Sequence, residues 1–169
     1  MNVEEAISTR RSVRSYANKE VSREKIEKIM NSVRLAPSAN NKQDWRFLIV
    51  ASEEKKKELY EATKQQNSVR DAPIVIAGVT TRPESEMTCD TPGGIVDVTI
   101  ALDHLALKAV EEDLGTCWIG AFYQDKAKEV LGVPEDQKIV CLMTLGYPEE
   151  SLEKQDKDRK DLEEIISYL

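Results

Sequence analysis

The sequence predicts one compact domain of the α/β or α+β class. Helical and strand patterns alternate along all 169 residues, which is the element order of a layered helix-and-sheet fold. Neither an internal repeat nor a low-complexity linker divides the chain, and its length is typical of one domain. Apolar residues make up 40% and charged residues 33%, which suits an ordinary core under a densely charged surface.

Two helices open the chain. Asn2 followed by Glu5 indicates a capping box for a short first helix, with Val3, Ala6 and Ile7 on one face. A second helix begins near Ser22 and ends before Pro37. Its apolar residues have the spacing of one buried stripe; they are Ile26, Ile29, Met30 and Val33.

Four apolar runs predict the strands. Phe47–Ala51 is continuous and apolar, which is typical of a strand covered on both faces. Ser52 then caps a helix that carries Glu53 and Glu54 in its first turn. The remaining strands are predicted over Ile74–Val79, Thr116–Ala121 and Ile139–Leu145.

The longest predicted helix lies between the second and third strands. Thr81–Gly94 has no periodicity and is predicted to be a loop. Ile95–Leu114 follows, and it is apolar around so much of its surface that we expect it to be central or at a subunit interface. Gln124–Leu131 is a shorter helix. After the fourth strand, the charged segment Glu149–Asp161 leads to an apolar end that we expect to dock on another surface.

Composition excludes several classes of protein. The net charge of −7 is opposite to that of a typical nucleic-acid binder. No apolar run reaches the roughly 18 residues of a membrane span, and no signal peptide opens the chain. The three cysteines are widely spaced, which is typical of free thiols in a reducing compartment, so a cytoplasmic location is expected. No metal site is predicted, and the single histidine, His104, is read as a helix-surface residue.

Four segments could carry chemistry, each with a plain structural alternative. Arg10–Arg14 offers three guanidinium groups and a hydroxyl for an anion, or forms a solvated basic turn. Ala36–Gln43 offers amide groups, or simply connects a helix to a strand. Gly115–Phe122 has Gly120 where a ligand could approach the backbone, or is a core strand with Cys117 as a small buried residue. Lys157–Lys160 on its own is a solvated charge run.

The same chain lacks the usual catalytic motifs. Neither GxGxxG after a strand nor GxxxxGK[ST] is present, and no acid pair stands out. Amide and guanidinium donors without an acid, base, nucleophile or metal cluster indicate that an organic cofactor performs the chemistry.

Taken together, the four segments resemble the FMN-dependent nitroreductase family in its short form. RRSVRSY, LAPSANNKQDWRFLIV, DLGTCWIGAF and KIVCLMTLGYPEE followed by KDRKDLEEII occur in that order over nearly the whole chain. The resemblance implies a nitroreductase-like three-layer α-β-α sandwich of the α+β class, with a central mixed sheet. It also implies a homodimer with FMN at the subunit interface, in which residues from about 150 to 169 are domain-swapped onto the partner.

The resemblance further implies the roles of single residues. Arg10 and Ser12 would contact the phosphate and ribityl end, and Arg14 the pyrimidine edge; Arg11 lies in the same motif. Pro37, Ser38, Ala39 and Asn41 match a second motif that commonly comes from the partner, and Gln43 could bond the flavin edge. Ile119 and Gly120 match the strand facing flavin N5. Lys157 and Arg159 match basic tail residues at the phosphate, and one residue of 65–67 could reach the pyrimidine.

The implied activity is a ping-pong oxidoreductase. NADH or NADPH would reduce FMN at N5, and a nitroaromatic, quinone or similar electrophile would reoxidise it, so no protein side chain is predicted to be catalytic. Asp44, where the family often has proline, and the short Thr81–Gly94 segment depart from the pattern. Two alternatives stay open: a flavin-binding or storage protein without efficient turnover, and a dehalogenating or flavin-fragmenting relative on the same fold.

Overall fold

A four-stranded sheet with helices on both faces organises the chain in the computed structural model, which describes residues 1–154 and 157–169. The strands are β1 (Trp45–Val50), β2 (Ile74–Thr80), β3 (Gly115–Ile119) and β4 (Lys138–Gly146). The helices are α1 (Val3–Thr9), α2 (Arg23–Arg34), α3 (Glu53–Ala62), α4 (Asn67–Asp71), α5 (Gly93–Glu111), α6 (Gln124–Leu131) and α7 (Leu162–Ile165). None of the helices in these ranges is long and apolar enough to cross a membrane.

The sheet has two separate hydrophobic cores, one on each face. The first lies under α2 and α5 and contains Ile29, Leu102 and Met143, which are fully buried. The second lies under α3 and α6 and contains Leu59 and Leu142. Successive side chains of a strand point to opposite faces, so Leu142 and Met143 of β4 enter different cores. The three-layer α-β-α architecture and the α+β class are confirmed.

The strand pairings differ from the mixed sheet that the resemblance implies. The strand order is β1-β2-β4-β3, and all three pairings are antiparallel. The parallel pairing that the described residues do contain is an isolated bridge between Ser12 and Thr116. The chain leaves β1 at Val50, runs through α3 and α4, and re-enters the sheet beside Val50, which pairs with Val75. The apolar pattern of a sequence does not show at which end of the sheet the chain returns, so it does not distinguish an antiparallel from a parallel pairing.

Local capping chemistry sets most helix ends where the sequence predicts them. The Asn2 side chain accepts from the Glu5 amide at 2.9 Å, and the Glu5 carboxylate accepts from the Asn2 amide at 2.8 Å. The Ser22 and Ser52 side chains cap α2 and α3 by accepting from the amides of Lys25 and Lys55. Gly132 ends α6 in the left-handed conformation, with φ of 63°, a backbone geometry that costs glycine little.

Several elements differ from their predictions. β1 lies at an edge of the sheet and only Val50 is buried, so this strand is not covered on both faces. On α1, Ala6 is buried while Val3 and Ile7 are exposed. The predicted loop is shorter, because α5 already begins at Gly93, and α4 and α7 are helices that the pattern does not reveal. Residues 155 and 156 of the predicted charged tail lie outside the described residues.

Candidate functional site

The segment Arg10–Arg14 is held against β3 by backbone hydrogen bonds. It follows α1 directly, and its Ser12 pairs with Thr116 of β3. The Val13 amide donates to the Thr116 carbonyl at 2.8 Å. A Cβ atom on Gly115 would lie only 2.3 Å from Val13 Cγ2, so the approach requires glycine at the start of β3. The first and third predicted motifs are therefore brought together.

Tyr16 fastens the other end of this segment to the sheet. Its hydroxyl donates to the Val13 carbonyl at 2.8 Å and lies 2.6 Å from Thr144 Oγ1 on β4. Burial raises the pKa of Tyr16 well above its ordinary value, so the hydroxyl keeps its proton. Neither Tyr16 nor Thr144 was predicted to belong to the site. For Tyr16 the sequence does contain an indication, because a tyrosine, which carries a hydroxyl group, ends the basic motif RRSVRSY.

Basic residues from the two ends of the chain gather beside the end of α1. Lys157 Nζ donates to the carbonyls of Ile7 at 3.0 Å and Ser8 at 2.8 Å. Desolvation by burial lowers the pKa of Lys157, and the positive charges of Arg10 and Arg159 lower it further. No carboxylate within residues 1–154 and 157–169 forms a salt bridge with any of these three cations. The positive charge here favours an anionic ligand.

Arg11 and Arg14 line a small cavity on the same segment. The cavity has a volume of about 240 Å³ and is also bordered by Ser12, Pro148 and Glu150. Arg11 Nη2 lies 3.7 Å from Glu150 Oε2, whereas Arg11 Nε is buried with no hydrogen-bond partner in the described part of the chain. An unsatisfied buried donor is costly in a folded protein, so this atom marks a place where an acceptor is expected.

The carboxyl end of β3 is open to solvent. Ile119 is buried, but Gly120 is exposed, and a Cβ atom there would have no neighbour within 4 Å. Gln66 Nε2 donates to the Ala121 carbonyl at 3.0 Å and to the Thr63 carbonyl at 3.0 Å. The predicted segment 65–67 therefore does lie beside this strand end, with the donor group of Gln66 already bonded.

Cys117 in the same strand is a packing residue, as predicted. Its side chain is 3% exposed, and burial raises the pKa of its thiol, although Arg14 acts in the opposite direction. A thiol that resists deprotonation is a poor nucleophile.

The second predicted motif forms a strained loop between α2 and β1. Asn40, Asn41 and Gln43 have positive φ angles of 52°, 54° and 56°. Such conformations cost about 1–3 kcal/mol each for residues other than glycine, and they persist where surrounding contacts enforce them. The Gln43 amide donates to Ser38 Oγ at 3.1 Å, and Gln43 Nε2 donates to the Asn41 carbonyl at 3.1 Å. Pro37 is exposed at the start of this loop.

A buried acid that was not predicted from the sequence anchors the loop. Asp97 is 6% exposed on α5, and its Oδ1 accepts from the Ala39 amide at 3.0 Å. The sequence does contain an indication, because Asp97 is a carboxylate within the apolar first half of this helix. Among the described residues, no hydrogen bond or salt bridge joins residues 37–43 to Arg10–Arg14. The structure therefore joins residues 10–14 to β3, the strand of Ile119, and brings Lys157 and Arg159 close to Arg10, whereas no such bond links residues 37–43 to residues 10–14 in the described chain.

The fold and this arrangement define a class: an α+β protein in which a basic segment is paired with a strand whose end is open to solvent. Comparisons with known proteins give the family. The sequence model of the nitroreductase family matches residues 7–92 and 69–147. A protein of Archaeoglobus fulgidus with the provisional name NADH dehydrogenase/NAD(P)H nitroreductase is 32% identical over 162 residues, covering 94% of this chain and 87% of its own. The chain belongs to the nitroreductase family.

Solved structures agree with that assignment. A nitroreductase family protein from Clostridium novyi NT superimposes with a TM-score of 0.85 at 32% identity, covering 92% of this chain and 89% of its own. An FMN-dependent nitroreductase from Clostridium difficile R20291 has a TM-score of 0.83 at 26% identity and covers 98% of both chains. Both are of nearly the same length as this protein, so its short form is shared.

Proposed function

We propose that this protein is an FMN-dependent oxidoreductase that takes reducing equivalents from NAD(P)H and passes them to a nitroaromatic, quinone or similar electrophile. The observation that carries the proposal is the group formed by Arg10, Lys157 and Arg159 beside the end of α1, for which no salt bridge to a carboxylate is found among the described residues. The relatives support both cofactors, because one is named for FMN and another for NAD(P)H.

The donors that are present suit FMN in charge and in number. A phosphate dianion needs several cations, and the isoalloxazine edge needs N–H donors. Arg10, Lys157 and Arg159 supply the cations, and the orphaned Arg11 Nε is a buried donor in need of an acceptor. Gly120 leaves open the space that a planar ring would occupy.

Each residue of the segment then has a role. The chemistry that FMN supplies when bound is hydride acceptance from NAD(P)H and electron donation to the second substrate. Arg10 and Ser12 hold the phosphate and ribityl end with Lys157 and Arg159. Arg14 opposes the negative charge that reduction places on the pyrimidine edge. The backbone of Ile119 and Gly120 would lie beside the reacting edge of the bound ring, and positioning would carry the rate.

The active form that we propose is a homodimer with FMN between the subunits. Among the described residues no hydrogen bond or salt bridge joins the strained loop at residues 37–43 to its own Arg10–Arg14 segment, and in the proposed dimer this loop serves the partner's flavin. The tail also favours this assembly, since Leu162, Ile165 and Tyr168 are exposed and β1 has an open edge. Val3 and Ile7 of α1 add further exposed apolar surface.

We also propose that the protein works in the cytoplasm. Its three cysteines are all free, and two of them, Cys117 and Cys141, are buried where oxidation has little access. Free thiols are typical of reducing compartments.

A cofactor titration tests the proposed function. The purified protein is stripped of small molecules and titrated with FMN, and binding is followed by the visible absorption and fluorescence of the flavin. Saturable binding of one FMN per chain is expected, with riboflavin, which lacks the phosphate, binding much more weakly. If FMN and riboflavin bind equally, the basic group is not a phosphate site; if neither binds, the proposed function is wrong.

A further inference from the structure

A tyrosine between two lysines stands beside the open end of β3. Tyr123 is 50% exposed, and the ammonium groups of Lys126 and Lys64 lie 5.3 Å and 5.6 Å from the centroid of its ring. Ammonium groups at these distances are attracted to the ring face. The two lysines come from different elements, Lys126 from α6 and Lys64 from the turn after α3, so the ring brings together cations that are distant in sequence.

The turn that carries Lys64 is held in a strained conformation. Lys64 and Gln65 have positive φ angles of 53° and 56°, which consecutive residues other than glycine rarely adopt. Contacts on both sides enforce it: the Gln65 amide donates to the Tyr60 carbonyl at 2.9 Å, and Gln66 bridges Thr63 to Ala121. Strain of this kind is concentrated at functional positions, and here it fixes the backbone from which the Lys64 side chain extends over the Tyr123 ring.

The pair of lysines is close to the proposed reaction centre. Tyr123 follows Gly120 by three residues, a span of at most about 10 Å. The Tyr123 amide donates to the Ala62 carbonyl at 2.8 Å, which joins the end of α3 to this strand end. The lysines at the Tyr123 ring are therefore within reach of the further groups of a dinucleotide that places one ring at Gly120.

The lysines are free to meet an anion. In the described part of the chain neither Lys64 nor Lys126 belongs to a salt bridge. The nearby carboxylate of Glu61 accepts from Gln65 Nε2 at 3.3 Å. Because the chain carries a net charge of −7, an anionic substrate needs local positive charge to approach it.

We infer that Lys64, Tyr123 and Lys126 form the binding patch for the phosphate groups of the NAD(P)H donor. This inference rests on the proposed function. It assigns to the dinucleotide a set of cations separate from Arg10, Lys157 and Arg159, which the FMN phosphate occupies. Nitroaromatics and quinones carry no phosphate, so the patch distinguishes the electron donor from the acceptor.

The test uses the FMN-loaded protein and the double variant Lys64→Ala/Lys126→Ala. Binding of NADP⁺ and NAD⁺ to the oxidised protein is measured by equilibrium dialysis, and anaerobic reduction by NADPH and NADH is followed by stopped flow. In the double variant the dissociation constant of the preferred nucleotide is expected to rise about tenfold, because two exposed charge contacts to its phosphate groups are lost. The limiting rate of flavin reduction and the FMN affinity stay unchanged. The wild-type dissociation constant rises with added salt, and that of the variant rises less.

Lys19→Ala is the matched control. Lys19 also lies over a tyrosine ring, 3.8 Å from the centroid of Tyr147, and it is exposed. The Lys19→Ala substitution removes one lysine charge and a contact of the same type, but Lys19 lines a different cavity. Unchanged nucleotide affinity in the double variant, an equal effect of Lys19→Ala, or a parallel loss of FMN would each overturn the inference. If the wild type itself is not reduced by either nucleotide, the proposed function fails instead.

Discussion

Arg14 is the residue on which the electronic role of the site depends. It is exposed, it follows the fixed Val13, and it has no salt bridge within the described chain. A cation held near a reduced flavin stabilises the reduced state more than the oxidised state, because the negative charge is present only after reduction. Its effect should therefore appear in the midpoint potential as well as in affinity.

Replacing Arg14 by alanine is expected to weaken FMN binding about tenfold and to lower the midpoint potential of the bound flavin. The loss of one charge-assisted hydrogen bond accounts for that size of effect. FMN titration and spectroelectrochemistry measure the two quantities. Arg34→Ala is the control, because the side-chain hydrogen bonds of Arg34 within the described residues go to Asn31 on the exposed side of α2. An Arg14 variant with unchanged affinity and potential would remove the assigned role.

Single residues were predicted from the sequence when their chemistry is local. Asn2 and Ser52 were identified as caps, and Ser22 as the start of a helix, because a cap bonds an amide two or three residues away. Tyr16 bonds Thr144 across 128 positions, and Asp97 bonds Ala39 across 58. Contacts of that range depend on the path of the chain, so no sequence window contains both partners.

The junction of β3 with the Arg10–Arg14 segment depends on a residue without a side chain. Gly115 starts the strand where Val13 crosses it, and the same strand ends near the exposed Gly120. The two glycines therefore have different roles: Gly115 allows Val13 to pack closely against the strand, and Gly120 leaves room for a ligand.

Gly115→Ala is expected to destabilise the protein by about 1–3 kcal/mol and to weaken FMN binding, because the added methyl group overlaps Val13 and displaces the basic segment. Gly120→Ala is the counterpart. Nothing lies within 4 Å of its added atom, so it leaves the free energy of unfolding nearly unchanged. Denaturant unfolding of both variants without flavin measures this difference, and equal stabilities would contradict it.

Strands and helices were predicted where apolar runs are long and their ends are capped. β2 and α6 follow the prediction closely, since the first is buried throughout and the second is bounded by Gly132. β1 has the same apolar composition as a central strand but lies at the sheet edge. Composition describes a segment, whereas position in the sheet is decided by which other strands arrive beside it.

The whole subunit shows two kinds of incomplete surface. One is apolar and comprises the exposed parts of α1 and the tail after Asp161. The other is functional, because no hydrogen bond or salt bridge joins the loop at residues 37–43 to the Arg10–Arg14 segment in the described part of the chain. In the proposed dimer, swapped tails would cover the first surface, and the partner's loop would complete the second.

Truncation after Ser151 is therefore expected to convert a dimer into a monomer and to lower FMN affinity at least tenfold, since Lys157 and Arg159 are removed together with the apolar tail. Light scattering with size exclusion gives the mass, and flavin fluorescence gives the affinity. The charge-only variant Lys157→Ala/Arg159→Ala separates the two effects, as it should lose FMN affinity while staying dimeric. A full-length protein that is monomeric with FMN bound would contradict the shared site.

Anaerobic reduction of the FMN-loaded protein is the most direct measurement of what this chain does. NADH and NADPH are added in turn while the flavin band in the visible spectrum is recorded, and a nitroaromatic or quinone is then added. The flavin band is expected to bleach with at least one nucleotide and to return with the acceptor, with one nucleotide oxidised per acceptor reduced by two electrons. A bound flavin that neither nucleotide bleaches would contradict the oxidoreductase assignment and leave a flavin-binding protein in its place.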